Sequence, residues 1–79
     1  MEKISIKKEV KSLLHNLVWL RNHYNLSKED MARILRIDME MWENIECGKL
    51  PRGLSVEVFY IIKEQFHINP SDLLYKMFD

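Results

Sequence analysis

The most informative stretch of this chain is SKEDMARILRIDMEMWENIECGK, residues 27–49. The stretch predicts two short helices, about residues 28–36 and 39–47, separated by a tight turn. Ser27 is a typical N-cap for the first helix, because its hydroxyl can accept a hydrogen bond from a free backbone N–H. Asp38 offers the same capping chemistry to the second helix. A Gly at position 48 and a Pro at position 51 then predict where the second helix ends.

Apolar side chains in this stretch recur at helical spacing. Met31 and Leu35 give the first helix one buried face, and the small Ala32 lets another helix cross closely. Trp42 and Ile45 lie three residues apart and predict that the second helix packs back against the first. This is the helix-turn-helix pattern, in which the second helix commonly enters the major groove of DNA.

The rest of the chain predicts an all-α, compact five-helix bundle formed by one domain, residues 1–79. Helix 1 is expected from residue 5 or 9 to residue 23, helix 4 at about residues 55–66, and helix 5 at about residues 70–77. We expect Asn69 to cap helix 5, Pro70 to occupy its first position, and His67 to cap the end of helix 4. The predicted core comprises Leu17, Leu20, Met31, Ala32, Leu35, Ile37, Trp42, Ile45, Phe59, Ile62, Phe66 and Leu74.

Composition narrows the functional classes. The chain is 47% hydrophobic but has no apolar run near the length of a membrane span, and its first residues lack the features of a signal peptide. The single cysteine, Cys47, excludes an internal disulfide and fits a reducing cytoplasm. His15, His23 and His67 have no partners at metal-ligand spacing, and no nucleophile motif or phosphate loop is present. We therefore expect no enzymatic activity, no cofactor, no metal and no small-molecule substrate.

A resemblance follows from the ordered set of these motifs. The chain resembles the lambda repressor/Cro (XRE-type) helix-turn-helix family over residues 17–74, after an N-terminal extension of helix 1. The residues that carry the resemblance are Leu20, Arg21, Leu26, Ser27, Met31, Ala32, Leu35, Ile37, Trp42, Ile45, ECGK at 46–49 and FHINPSDLL at 66–74. It implies a lambda repressor-like DNA-binding domain: a cytoplasmic transcriptional regulator from a bacterium, its phage or a mobile element. Such a domain would bind palindromic double-stranded DNA as a homodimer.

The family resemblance also implies roles for individual residues. Candidates for contact with base edges are Asp38, Met39, Glu40 and Asn44. Candidates for contact with phosphates are Ser27, Lys28, Arg21, Lys49 and Arg52, and each cation has the alternative of being an ordinary solvated charge. The Asn44 amide can pair with adenine, whereas Glu40 can only accept a hydrogen bond, as from cytosine. Asp38 is expected to cap its helix rather than read a base, and Arg21 and Glu46 are expected to form a partly buried salt bridge.

Charge argues in a different direction. Residues 27–47 contain three basic residues (Lys28, Arg33, Arg36) and six acidic ones (Glu29, Asp30, Asp38, Glu40, Glu43, Glu46). The predicted reading helix has no Lys or Arg, and the chain has a net charge of zero, so little long-range attraction steers it to a polyanion. A basic cluster at Lys3, Lys7, Lys8 and Lys11 could follow a phosphate backbone or simply keep helix 1 soluble. A second interpretation therefore stays open: a protein-interaction module, an antirepressor or adaptor, with little DNA affinity.

Self-association is predicted from apolar residues late in the chain. Val58 and Ile61 fall outside the expected buried stripe of helix 4, and Met77 and Phe78 follow helix 5. These four residues are candidates for a homodimer surface formed by helix 4, helix 5 and the residues after it. The alternative is that Phe78 folds back on its own core and that Val58 and Ile61 are scattered exposed side chains.

Overall fold

The computed structural model describes residues 7–79, which form five α-helices and no strand. The helices are α1 (Lys7–His23), α2 (Lys28–Leu35), α3 (Met39–Glu46), α4 (Glu57–Phe66) and α5 (Pro70–Tyr75). The Cα radius of gyration is 12.3 Å, close to the value of about 12 Å for a compact chain of this length. The all-helical architecture is as predicted. The proposed start of helix 1 at Ser5 and the Lys3 member of the basic cluster lie outside the described residues.

Local capping places α2 and α3 as the sequence predicted. Ser27 Oγ accepts a hydrogen bond from the backbone N–H of Asp30 over 2.9 Å, and Asp38 Oδ1 accepts one from Met41 over 2.8 Å. After α2, Arg36 adopts φ +61°, and the Ile37 N–H returns to the carbonyl of Ala32. This left-handed helix ending makes the turn tight enough for α3 to begin three residues later.

The later helix ends were predicted less completely. His67 ends α4 in the left-handed region, at φ +60°, and its N–H reaches the carbonyl of Lys63, so its capping role is confirmed. Asn69 has the extended backbone of an N-cap and Pro70 follows at the start of α5, but the Asn69 side chain makes no capping hydrogen bond. The predicted N-cap position of Asn69 and the start of α5 at Pro70 are therefore confirmed, and the cap is made without the Asn69 side chain.

The core lies where α1 packs on α3 and α5, α2 on α3 and α4, and α4 on α5. Its buried apolar residues are Leu13, Leu14, Leu17, Leu20, Met31, Ala32, Leu35, Trp42, Ile45, Val58, Ile61, Ile62 and Leu73. Four residues predicted to be buried are only half-buried: Ile37, Phe59, Phe66 and Leu74. Tyr24, the residue after the end of α1, is 50% exposed.

Helix α4 buries Ile62 as predicted, but it also buries Val58 and Ile61, which were expected to lie outside its buried stripe. Val58 and Ile61 are 2% and 7% exposed, whereas Val56 precedes the helix and is 80% exposed. Residues 56–62, VEVFYII, carry apolar side chains on more than one helical face, so their spacing alone cannot select the buried one. Packing of α4 against α2 and α5 selects Val58, Ile61 and Ile62. The proposal that Val58 and Ile61 form a dimer surface was wrong, because both lie in the core.

Candidate functional site

The α2–α3 unit presents the outer face of α3 while its inner face is anchored. Trp42 and Ile45 are 0% and 1% exposed, and they hold α3 against α1 and α2. Glu40 and Glu43 are exposed on the opposite side, and Asn44 is half-buried. The helix thus shows solvent a surface that is polar and acidic.

The residues predicted to read bases fall into two groups. Asp38 uses Oδ1 to cap α3, which agrees with the capping role expected for it. Met39 is half-buried and packs against the core, so only part of its side chain faces outward. Glu40 is exposed, and the Asn44 side chain makes no hydrogen bond within residues 7–79. Glu40 and Asn44 are therefore the two polar groups of this set that are free to meet a ligand.

A partly buried ion pair connects α1 to the end of α3, as the sequence predicted. Arg21 Nε lies 2.9 Å from Glu46 Oε2, and the two side chains are 18% and 19% exposed. Arg21 Nη1 also donates to the carbonyl oxygen of Leu26 over 2.9 Å. The guanidinium therefore ties α1, the loop before α2 and α3 together. Two of its five N–H donors are engaged within the protein, so Arg21 positions α3, and its contact with a phosphate stays a prediction.

The remaining phosphate candidates differ in how free they are. Ser27 is exposed, but its hydroxyl oxygen caps α2. Lys28 Nζ lies 3.5 Å from Glu43 Oε1, which ties the start of α2 to the middle of α3. Lys49 and Arg52 are exposed in the loop after α3 and enter no ion pair of the described chain. This loop supplies the unpaired positive charge nearest to α3 along the sequence.

Two other ion pairs neutralise the arginines of α2 and its end. Arg33 Nη1 donates to Asp30 Oδ1 over 2.9 Å, and Arg36 Nη1 lies 3.3 Å from Glu57 Oε2. The hydrogen bond from Arg33, followed by that from Ser27, holds the pKa of Asp30 below its ordinary value. Arg33 and Arg36 are thus both paired with carboxylates.

Asn16 organises the C-terminal tail (residues 76–79), a role that was not predicted from the sequence. It is 0% exposed. Its Nδ2 donates to the carbonyls of Leu73 and Lys76 over 2.8 and 2.7 Å, and its Oδ1 accepts from the Phe78 N–H over 2.9 Å. An amide inside the apolar run LLHNLVWL was the available signal, since a buried amide requires partners.

The remaining dimer candidates have different environments. Met77 is 51% exposed. Phe78 is half-buried and packs edge-to-face on Trp19, with ring centroids 5.3 Å apart, and its carbonyl lies 2.8 Å from His15 Nε2. The structure thus favours the alternative in which Phe78 covers the core of its own domain.

Two open grooves flank α1. The first, the α1–α3 groove, has a volume of about 630 Å³ and lies between α1 and the end of α3. The second, the α5 groove, has a volume of about 600 Å³ and is bordered by Leu50, Val56 and Tyr75, three exposed apolar residues. Neither groove was anticipated from the sequence.

Metal clusters, membrane-spanning helices and thiols are the other features of residues 7–79 that bear on function. This part of the chain holds no cluster of three or more His, Cys, Asp or Glu side chains that could bind a metal. None of its helices is both long enough and apolar enough to span a bilayer. Cys47 is a free, exposed thiol. Comparisons with protein families, with curated proteins and with solved structures gave no match to this chain.

Proposed function

We propose that this chain is a sequence-specific DNA-binding transcriptional regulator whose α2–α3 unit is a helix-turn-helix of the lambda repressor/Cro (XRE) type. In this proposal α3 enters the major groove. The protein has no catalytic role and acts in the bacterial cytoplasm, as the regulator of a bacterium, its phage or a mobile element. The observation that carries the proposal is the anchoring of α3 by buried Trp42 and by the Arg21–Glu46 pair. This anchoring leaves Glu40 exposed and Asn44 half-buried on α3.

Contacts with the DNA backbone would come from both ends of the unit. The free N–H groups at the start of α2, with Lys28, suit one phosphate. Lys49 and Arg52, which are exposed after α3, suit others. Asn44 supplies an amide that can pair with adenine, and Glu40 an acceptor suited to cytosine.

Binding as a homodimer is part of the proposal, because one such domain makes too few contacts for useful specificity. Since Val58 and Ile61 are buried, the surface that fits a second copy is the rim of the α5 groove, where Leu50, Val56 and Tyr75 are exposed. Sedimentation should show a dimer at tens of micromolar, and a Val56→Glu, Tyr75→Glu variant should sediment as a folded monomer. A wild type that stays monomeric with and without DNA would remove this surface from the proposal.

The deciding experiment is a mobility-shift assay with the DNA upstream of the chain's own gene, titrated with salt. We expect tighter binding to this DNA than to a random duplex of equal length. The logarithm of the affinity should fall linearly with the logarithm of salt concentration as counterions are released. No binding to either duplex at low salt, by protein with an intact circular dichroism spectrum, would overturn the proposal.

A second candidate is favoured by charge. Glu40 and Glu43 are exposed on α3, which carries no basic residue, and a carboxylate surface is repelled by phosphates. The same fold would then serve as a protein-interaction module, an antirepressor or adaptor. Failure of the DNA assay together with capture of α3 by a basic protein surface would favour this second function.

A further inference from the structure

The α1–α3 groove extends along the solvent side of α1. Its walls begin at Lys7 and continue to Asn22 on α1, with Ile45 and Gly48 closing the other side. Fifteen helical steps separate Lys7 from Asn22, which corresponds to about 22 Å at 1.5 Å per residue. An open strip of that length matches about four turns of a helix lying alongside α1. A single small molecule would cover only part of it.

The floor of the groove is apolar. Val10, Val18 and Trp19 are half-buried, and the nearly buried Leu14 lies between them. Counted from Val10, the other three side chains follow after four, eight and nine residues, so all four lie on one face of α1. The floor therefore matches an amphipathic helix whose apolar residues repeat at three- and four-residue steps.

The charges around the groove are unbalanced. Lys7 and Lys11 line one end, both are exposed, and neither enters an ion pair of residues 7–79. Among residues 7–79, Glu46 is the one carboxylate that lines the groove, and it is paired with Arg21 over 2.9 Å. The groove therefore combines an apolar floor with a positively charged end, which complements an apolar face flanked by carboxylates.

We propose that the α1–α3 groove binds an acidic amphipathic helix of a partner protein. The apolar face of that helix covers Val10, Val18 and Trp19, and its carboxylates meet Lys7 and Lys11. The groove does not include Glu40 or Asn44, but its edge at Glu46 and Gly48 adjoins the end of α3 and the loop that carries Lys49. This inference goes beyond the proposed function and does not depend on it.

The test uses a synthetic peptide of about 15 residues, long enough for four helical turns. It carries leucines at positions i, i+4, i+7 and i+11 and glutamates at most other positions. Its matched control has lysine in place of every glutamate. Each peptide is titrated into ¹⁵N-labelled full-length protein without DNA. We expect the glutamate peptide to bind and to shift the amide signals of Val10, Leu14, Val18 and Trp19, and the lysine peptide to bind at least about tenfold more weakly.

Three variants locate the contact. The double variant Lys7→Glu, Lys11→Glu should weaken binding of the glutamate peptide about tenfold, as expected for reversal of two exposed charges. The fold should survive this change, because both side chains are exposed and enter no ion pair of residues 7–79. Val18→Glu should abolish binding. Lys63→Glu, which changes an exposed lysine of α4 outside the groove, should leave the affinity unchanged.

Several results would overturn the proposal. The first is no binding of the glutamate peptide at about 1 mM, which corresponds to a binding free energy of only about −4 kcal/mol. The second is equal binding of both peptides. The third is a set of amide shifts confined to α2 and α3. Groove signals that change with protein concentration in the absence of peptide would show that a second copy of the chain is the occupant. Because no DNA is present, none of these results bears on the DNA-binding proposal.

Discussion

Asn16 holds Phe78 in place: its Oδ1 accepts the backbone N–H of Phe78 over 2.9 Å. The same buried side chain donates to the carbonyls of Leu73 and Lys76. Three backbone groups at the end of α5 and in the tail therefore depend on one amide in the middle of α1. This arrangement covers Trp19 with the Phe78 ring and closes the domain.

Asn16→Ala should be strongly destabilising, because it leaves these backbone groups without their partner. We expect a decrease of about 2–4 kcal/mol in the free energy of unfolding, measured by urea denaturation. The Phe78 amide should also exchange its hydrogen faster. Asn22→Ala, on an exposed position of the same helix, should change stability by no more than about 0.5 kcal/mol. Equal effects of the two substitutions would contradict the role given to Asn16.

The Arg21–Glu46 pair should contribute more to stability than the Lys28–Glu43 pair. The first pair has side chains only 18% and 19% exposed, whereas the second has side chains 42% and 52% exposed. Double-mutant cycles with alanine should give a coupling of about 1–2 kcal/mol for Arg21–Glu46 and below about 0.5 kcal/mol for Lys28–Glu43. The cycle isolates the pair from the separate effects of each truncation. Couplings of the same size would show that burial does not strengthen the first pair.

Trp42→Ala should cost about 3–5 kcal/mol, because it leaves a large cavity under α3. Trp42→Phe should cost less than about 2 kcal/mol, since it keeps an aromatic ring and removes an indole N–H. That N–H is buried and makes no hydrogen bond among residues 7–79. Urea unfolding followed by circular dichroism measures both changes without relying on the deleted fluorophore. Similar costs for the two variants would contradict the prediction, because they would mean that a phenyl ring does not replace the packing of the indole.

Arg36→Gly and Arg33→Gly should change stability in opposite directions. Arg36 has φ +61°, a conformation that strains a side chain by about 1 kcal/mol and that glycine adopts freely. Arg33 lies inside α2, where glycine costs about 1 kcal/mol. We expect Arg36→Gly to raise the thermal midpoint slightly and Arg33→Gly to lower it. Both variants remove one exposed ion pair, so that change does not distinguish them. A decrease in both midpoints would mean that the ion pair of Arg36 outweighs the strain.

DNA binding should respond differently to two kinds of substitution. Asn44→Ala should lower discrimination between specific and random DNA, because it removes a group that can reach a base edge. Arg52→Ala or Lys28→Ala should weaken binding to all sequences and reduce the magnitude of the salt slope by about 0.9 for each phosphate that is no longer neutralised. Lys63→Ala should do neither. A uniform decrease of affinity in Asn44→Ala, with discrimination intact, would show that Asn44 does not read bases.

The α2–α3 unit was predictable because the interactions that define it are between residues close together in the sequence. Ser27 and Asp38 cap groups only three residues away, and the left-handed Arg36 closes the turn on the preceding helix. The Arg21–Glu46 pair was predictable only through family resemblance. Helix α4 was less predictable, because VEVFYII is apolar on more than one face and the choice among faces depends on what packs against it.

The number, type and approximate limits of the helices follow from the amino-acid order alone, along with the caps and turns that join α2 to α3. These features depend on interactions between residues three to five positions apart. Docking of the helices was needed to bury Val58 and Ile61, to return Phe78 to α1, and to open a groove beside Val18. Asn16 and Phe78 are 62 residues apart in the chain. Contacts at such separations form only when whole helices dock, so no local pattern in the sequence specifies them.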